Sequence, residues 1–389
     1  MIRRHRNRGG HARAVNVEDL RRMAQRVLPH FSWEYLDGGA EDELSLQRNR
    51  EVFARLAWVP RTLAGADAPD LGCELLGSPA SMPVAIAPTG FNGLLWRDGD
   101  LELARAAAQA GIPFTLSTVG NCSVERLASS VQGRHWFQLY PVKDRGIVDR
   151  LIDRAAKAGC DALFVTSDVP AYGAREWDQR NYRSPMQLDL AAKLDVLAHP
   201  GWLSRVMFPH GAPRFESLRE FLPADADSAL LGARFMSTQL NAGLDWSDIA
   251  HYRRRWPRRL VIKGILSVDD ARRAAEEGAE AIVVSNHGGR QLDACVSAVE
   301  VLPEIVAAVG ERVQVLVDGG FRRGSEVLKA LALGAHGVLL GRAPLYGLAV
   351  GGEAGVAHAL GLLRTEMQRT MTLLGCRRLA DLGPHLLRS

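Results

Sequence analysis

An imidazole, a guanidinium and a carboxylate fall within nine residues, Ser-Asn-His-Gly-Gly-Arg-Gln-Leu-Asp from Ser285 to Asp293, directly after the apolar run Ala-Ile-Val-Val. Histidine titrates near neutrality, with an unperturbed pKa of about 6.5, so His287 is suited to moving a proton. Arg290 offers a planar fork that matches a carboxylate or phosphate. Gly288 and Gly289 strip side chains from the space beside the imidazole, which admits a close ligand or unusual backbone angles. A satisfied surface imidazole is the plainer reading. What the other strand ends present at the same level decides between the two.

Eight short β-rich runs recur, at 83–88, 113–118, 136–140, 162–168, 260–264, 281–287, 313–320 and 337–342. Between them lie amphipathic helical stretches such as 101–111, 148–159, 268–278 and 325–334, each closed by a glycine suited to a helix C-cap. Strands alternating with helices predict a parallel sheet covered by helices, and eight of them predict a closed (β/α)8 TIM barrel. Active sites of such barrels lie at the C-terminal ends of the strands. There this chain places Pro88, Thr89 and Gly90, then Ser117, then Gln138 and Tyr140, then Thr166 and Asp168. Lys263, Ser285 with His287, Asp318 with Gly319 and Gly320, and Gly341 with Arg342 complete the ring. A shared ligand site accounts for that convergence better than loop polarity.

The last two strand ends suit a phosphate, because glycines free backbone N–H groups next to Arg322 and Arg342. No GxGxxG follows a first strand and no HExxH occurs, so neither a dinucleotide crevice nor a metal site is expected.

The 389 residues are 47% hydrophobic and 24% charged, enough for a large core. No apolar stretch approaches the roughly 18 residues of a membrane span, and no signal peptide opens the chain. Five cysteines without CxxC spacing point to neither a disulfide framework nor zinc and fit a reducing cytoplasm. The formal charge of +4 sits partly in residues 1–15, read as a flexible basic arm, with the enzyme body at 16–389. No nucleic-acid fold signature follows, so nucleic acid is not an expected partner. A helix capped by Asn16 and stopped near Pro29 is expected, then a turn carrying Tyr35. The fourth and fifth strands are separated by an excursion at about 185–240 over one end of the barrel.

The motif 285–293, with YLDGGAEDE, APTG, WFQLY, TSDVPAYGARE, VIKGI, VDGGFRRG and LGRAPLYGLA in order along the chain, resembles the FMN-dependent 2-hydroxy-acid dehydrogenase and oxidase family. The resemblance runs from about Asn16 to the C-terminus and weakens only in the excursion. PTGFNGLLWRDGD, HPGWL and HGAPRF are most similar to the membrane-associated (S)-mandelate dehydrogenases of that family, with respiratory L-lactate dehydrogenases next.

The resemblance implies FMN as cofactor, a small 2-hydroxy acid as substrate, and a homotetramer. It implies His287 as base, Asp168 as its partner, and Arg175 and Arg290 as the grip on the substrate carboxylate, with Tyr35 and Tyr140 adding hydroxyls. Pro88, Thr89, Gly90, Ser117, Gln138, Thr166, Lys263, Ser285 and Asp318 would surround the flavin and its ribityl chain. Gly319, Gly320, Arg322, Gly341 and Arg342 would hold the phosphate. A Schiff base on Lys263, as in barrel aldolases, is the rival enzymatic reading, and a flavin-binding scaffold without turnover the non-enzymatic one.

Some positions depart from the family or divide it. Pro141 stands where aliphatic residues are common, and Asn181-Tyr182-Arg183 replaces Asn-Arg-Phe. Val119 replaces a frequent tryptophan, which leaves room for a bulky or aromatic substrate. Gly90 matches the dehydrogenases rather than the oxidases, so a quinone or another carrier is the expected electron acceptor. Leu190, Leu194 and Leu197 share one helical face, and Trp202, Leu203, Val206, Met207 and Phe208 follow among basic residues. The excursion is therefore expected either to rest on the inner face of the cell membrane or to form a lid.

Overall fold

A computed structural model describes residues 10–184, 187–208, 211–222 and 229–388. Eight parallel strands close into a barrel: β1 Val84–Thr89, β2 Phe114–Ser117, β3 His135–Leu139, β4 Ala162–Thr166, β5 Arg259–Ile265, β6 Ala281–Val284, β7 Gln314–Asp318 and β8 Gly337–Leu340. Each neighbours the next, and β8 pairs with β1. This is the (β/α)8 barrel expected from the strand count. Its strands read as continuous apolar runs because helices cover them outside while the barrel core covers them inside. In β6, Ile282 and Val284 pack outward under the helices, whereas Ala281 and Val283 point into the barrel. Trp136 and Phe164, stacked 5.1 Å apart, help fill that interior.

Register sets the chemistry level. Ser117 lies opposite Gln138, and Thr166 opposite Lys263, so the polar strand ends share one rim.

The expected first helix, α1 Val17–Val27, begins where Asn16 accepts the Asp19 N–H at 2.9 Å and ends before Pro29. Tyr35 lies on a second helix, α2 His30–Asp37, rather than in a turn, and α3 Leu44–Arg55 follows. The packed body also starts earlier than Asn16. His11–Arg13 make one 3-10 turn, and buried Ala14 accepts a hydrogen bond from His358 at 2.9 Å. Residues 1–9 of the expected arm lie outside the described residues.

Between β4 and β5 the chain makes helices Leu190–Ala198, Pro200–Val206 and Ala229–Gln239, with a 3-10 helix at Glu216–Phe221. Its apolar residues divide into two sets. Leu190, Leu194, Leu197 and Phe208 are 59–65% exposed. Trp202 and Val206 instead turn inward. The Trp202 ring packs on Phe31 and its N–H donates to the Leu94 carbonyl at 2.8 Å, so these two are unavailable to a membrane. No helix among the described residues is long and apolar enough to cross a membrane.

Candidate active site

A cavity of about 460 Å³ opens at the C-terminal ends of the strands. His287 reaches it from the loop after β6 with a left-handed backbone (φ 58°), an uncommon conformation for a non-glycine residue that functional sites often retain. The Ser285 hydroxyl accepts the His287 main-chain N–H at 3.0 Å and pins that turn. At the ring, Nδ1 lies 3.0 Å from an Asp168 carboxylate oxygen, and Nε2 lies 3.4 Å from the Tyr140 hydroxyl. Burial pushes the His287 pKa down, outweighing the upward pull of Asp168. For Asp168 burial pulls upward, but His287 and Lys263 outweigh it and hold the carboxyl below its usual range. The pair is therefore a neutral imidazole against a carboxylate, with Nδ1 donating and the Nε2 lone pair turned to Tyr140 and the cavity. Gly264 makes room for this, since a Cβ there would fall 2.6 Å from the Asp168 Cβ.

Facing the ring are two guanidinium groups held by main-chain carbonyls. Arg290 donates to the Gly38 carbonyl at 2.7 Å and lies over the Tyr35 ring, while Arg175 donates to the Arg290 carbonyl at 3.4 Å. Burial, then the charges of Arg175 and Arg342, pushes the Arg290 pKa down, which marks a site short of negative charge. The Tyr35 hydroxyl donates to the Gly90 carbonyl at 3.1 Å. A small anion between the arginines would relieve that deficit.

The floor is a closed polar network. Lys263 lies 3.0 Å from Asp318 and donates to Ser285 at 2.9 Å, while Ser285 donates to Asp318 at 2.6 Å. Burial lowers the Lys263 pKa, but Asp318 and Asp168 outweigh it, so the ammonium persists. A Schiff-base nucleophile must be a free amine, so the aldolase reading fails here. Next to it Ser117 donates to Gln138 at 2.8 Å, and Gln138 donates to Thr166 at 2.9 Å. Pro88, Thr89, Gly90, Lys263 and Asp318 line the cavity, whereas Ser117, Gln138, Thr166, Asp168 and Ser285 are outside its lining, with Asp168 and Ser285 joined to it by their hydrogen bonds to His287 and Lys263.

At the far end Gly319, Gly320, Arg322, Gly341 and Arg342 line the same cavity. Gly320 has φ 84°, and a Cβ there would meet the Asn49 carbonyl at 2.0 Å. The helix starting at Arg342 has no side-chain N-cap, leaving N–H groups and the positive dipole end open to an anion. The Arg342 guanidinium is spread over the carbonyls of Leu36, Gly38 and Gly288. One part of the expected cradle is already used, because Glu326 accepts the N–H groups of both Arg322 and Arg323. The donors for a phosphate are thus the β8 end and the arginine side chains. With the Lys263–Asp318 floor between phosphate end and imidazole, the residues fit an FMN lying across the mouth.

Asp293 of the signature stays out of the cavity. It accepts the N–H groups of Leu44 and Ser45 at 3.1 and 2.7 Å and so caps α3, whose own flanking residue Glu43 makes no side-chain cap. In the cavity's apolar wall, only Val119 was marked by the sequence. Phe91, Val119, Phe215 and Met236 form an apolar wall, with the Phe91 and Phe215 rings 5.0 Å apart. Phe215 and Met236 come from the excursion, and Gly232 clears space for Phe215. Asp178, beside Arg175, also lines the cavity.

A (β/α)8 barrel whose mouth joins a glycine- and arginine-lined end, a buried lysine–aspartate floor and a histidine with two arginines has the residues a flavin-dependent oxidoreductase of small acids needs. Residues 24–389 match the FMN-dependent dehydrogenase family, and the chain belongs to that family, with FMN as its cofactor. It is 45% identical over 375 residues to (S)-mandelate dehydrogenase of Pseudomonas putida, covering 96% of this chain and 94% of that protein. A putative L-lactate dehydrogenase of Mycobacterium tuberculosis is 43% identical, over 95% of this chain and 88% of that one. Among solved structures, the monotopic membrane protein (S)-mandelate dehydrogenase superposes with a TM-score of 0.92 at 44% identity, covering 97% of this chain and 99% of that one. The chain is an FMN-dependent enzyme that oxidises 2-hydroxy acids.

Proposed function

We propose that the substrate is an (S)-2-hydroxy acid with an aromatic side chain, (S)-mandelate or a close relative, oxidised to the 2-oxo acid. The observation that carries this is the juxtaposition of His287 Nε2 and Tyr140 with two arginines and an apolar wall around one cavity. Arg175 and Arg290 bind the carboxylate, the forks fixing its orientation as well as its charge. Tyr35 and Tyr140 turn their hydroxyls from the Gly90 carbonyl and His287 Nε2 to donate to the substrate. His287 Nε2 takes the substrate proton, and Asp168 stabilises the imidazolium that forms. FMN, when bound, supplies the two-electron sink. Lys263 would place positive charge beside the ring edge where negative charge gathers, with Ser285 and Asp318 fixing the ammonium. Pro88, Thr89 and Gly90 would approach the ring through the main chain, and Ser117, Gln138 and Thr166 would support its polar edge. Asp318 also suits the ribityl hydroxyls, while Gly319, Gly320, Arg322, Gly341 and Arg342 would hold the phosphate.

The wall of Phe91, Val119, Phe215 and Met236 favours an aromatic substrate over lactate, the runner-up that the lactate-oxidising relatives support. The exposed leucines of the excursion support a peripheral contact with the inner face of the cell membrane, where reduced enzyme would pass electrons to a quinone or similar carrier. A homotetramer is the assembly proposed from family resemblance.

Anaerobic mixing of the yellow holoenzyme with (S)-mandelate, L-lactate and glycolate tests the substrate. Mandelate should bleach the flavin fastest. Faster bleaching by lactate would move the assignment to the lactate branch, and no bleaching by any acid would favour the scaffold reading.

A further inference from the structure

Asp178 lies on the short helix Glu176–Gln179, three residues after Arg175, with its side chain on the cavity wall. One of its carboxyl oxygens, Oδ1, is buried without a hydrogen-bond partner. A buried polar atom left unsatisfied is costly, and its retention beside a ligand site calls for a functional reason. Tyr35 from α2, Arg290 from the loop after β6 and Arg175 from its own segment line the same cavity as Asp178, and Glu34 of α2 and Tyr182 are near enough to feel its charge. Arg175 and Arg290 are the same two groups that await the substrate carboxylate.

We propose that Asp178 is the counter-ion facing Arg175 and Arg290 in the empty site, and that it takes up one proton from solvent when a substrate carboxylate arrives between them. The inference rests on the carboxylate clamp proposed above. The incoming carboxylate brings a second negative charge close to Asp178, which makes the ionised form of this buried carboxyl more costly, and one proton taken up relieves that cost. The substrate carboxylate, held by two forks, keeps its charge. Asp178, whose Oδ1 has no partner to lose, takes the proton and becomes a donor toward the incoming acid. Burial already raises its pKa against the opposing pull of Arg290 and Arg175, so the change required on binding is smaller than for an exposed carboxylate. Asp178 is in this sense a positioning residue that makes the clamp respond to pH.

Linkage gives the sign. Affinity for the acid is full while Asp178 is protonated in both states. It weakens as pH rises from the free-enzyme value of Asp178 toward its value in the complex, by up to about tenfold per pH unit. The experiment is calorimetric titration of oxidised holoenzyme with phenylglyoxylate, the 2-oxo acid of mandelate, from pH 5.5 to 9 in pairs of buffers with different ionisation enthalpies. The parent should take up close to one proton at the optimum pH, and its Kd should rise about threefold or more across the window. Asp178→Asn should bind with no such uptake and a flatter Kd. Binding by the parent with no proton uptake at any pH overturns the inference alone, whatever the variant's folding. Uptake that persists unchanged in Asp178→Asn also overturns it, assigning the proton to Glu34 or His287. No binding at all would overturn the clamp and this inference together.

Discussion

The barrel mouth and the excursion after β4 serve one cavity but are built by opposite means. At the mouth, the central groups are fixed at strand ends by short polar contacts: His287 by Ser285 and Asp168, Lys263 by Asp318 and Ser285. The excursion contributes mainly apolar surface. Trp202 and Phe215 turn inward to the body and the cavity, and Leu190, Leu194 and Leu197 turn out to solvent. Hydrogen bonds are directional and hold reacting atoms in place, whereas apolar contact sets shape and attachment without fixing a reacting group. The division implies that changes at the mouth alter the rate of chemistry, while changes in the excursion alter substrate choice and location.

The largest effect should follow from removing the base. His287→Ala is expected to retain FMN, which its ring does not hold, and to lose about 10² to 10⁴ in kcat. Steady-state assays with absorbance to count bound flavin check both halves. A variant within tenfold of the parent would move the base elsewhere in the mouth.

Next come the arginines. Arg290→Lys keeps the charge but loses both the fork and the packing on Tyr35, so kcat/KM should fall by about 10- to 150-fold, equivalent to roughly 1.5–3 kcal/mol. Arg175→Lys should lose less, because its hydrogen bond to the Arg290 carbonyl is long at 3.4 Å. Equal kcat/KM in both variants and the parent would place the carboxylate away from this pair.

Much of the mouth was legible from sequence, for a physical reason. A parallel strand buried on both faces must be a continuous apolar run, and its end is marked by the glycines and polar groups that begin the loop. That is why His287, Lys263, Asp318 and Arg342 could be assigned to one rim. The remainder depended on contacts between distant segments. Asp293 stands six residues after His287 and reads as part of the same site, yet it caps a helix that begins at Leu44. Phe215 and Met236 carry no pattern that distinguishes them from other apolar residues of the excursion. Trp202 had the composition of a membrane anchor but forms a buried hydrogen bond to Leu94, which only the folded chain reveals.

That inward packing changes how the excursion should be probed. Removing the whole segment would also remove Phe215 from the cavity and Trp202 from the core, and so mix attachment with chemistry. Leu190→Ser, Leu194→Ser and Leu197→Ser combined touch only the exposed face. The triple variant should lose sedimentation with anionic vesicles at low salt and change kcat by less than about twofold, since exposed substitutions rarely exceed 0.5 kcal/mol. Undiminished sedimentation would mean that the exposed leucines are not the attachment surface.

The central claim is a neutral His287 oriented by an ionised Asp168, and the single-turnover rate of flavin reduction by (S)-mandelate against pH tests it most directly. Burial pushes the His287 pKa below its usual value, so the base is present above that lowered value and lost as pH falls through it. The parent rate should therefore rise with pH through one ionisation below about 6.5 and stay level into the alkaline range. Asp168→Asn should lie about 10² to 10⁴ lower on that plateau, because the ring loses both its orienting acceptor and the charge that stabilises the imidazolium. A parent rate that declines as pH rises through neutrality, or an Asp168→Asn rate equal to the parent's, would contradict the account.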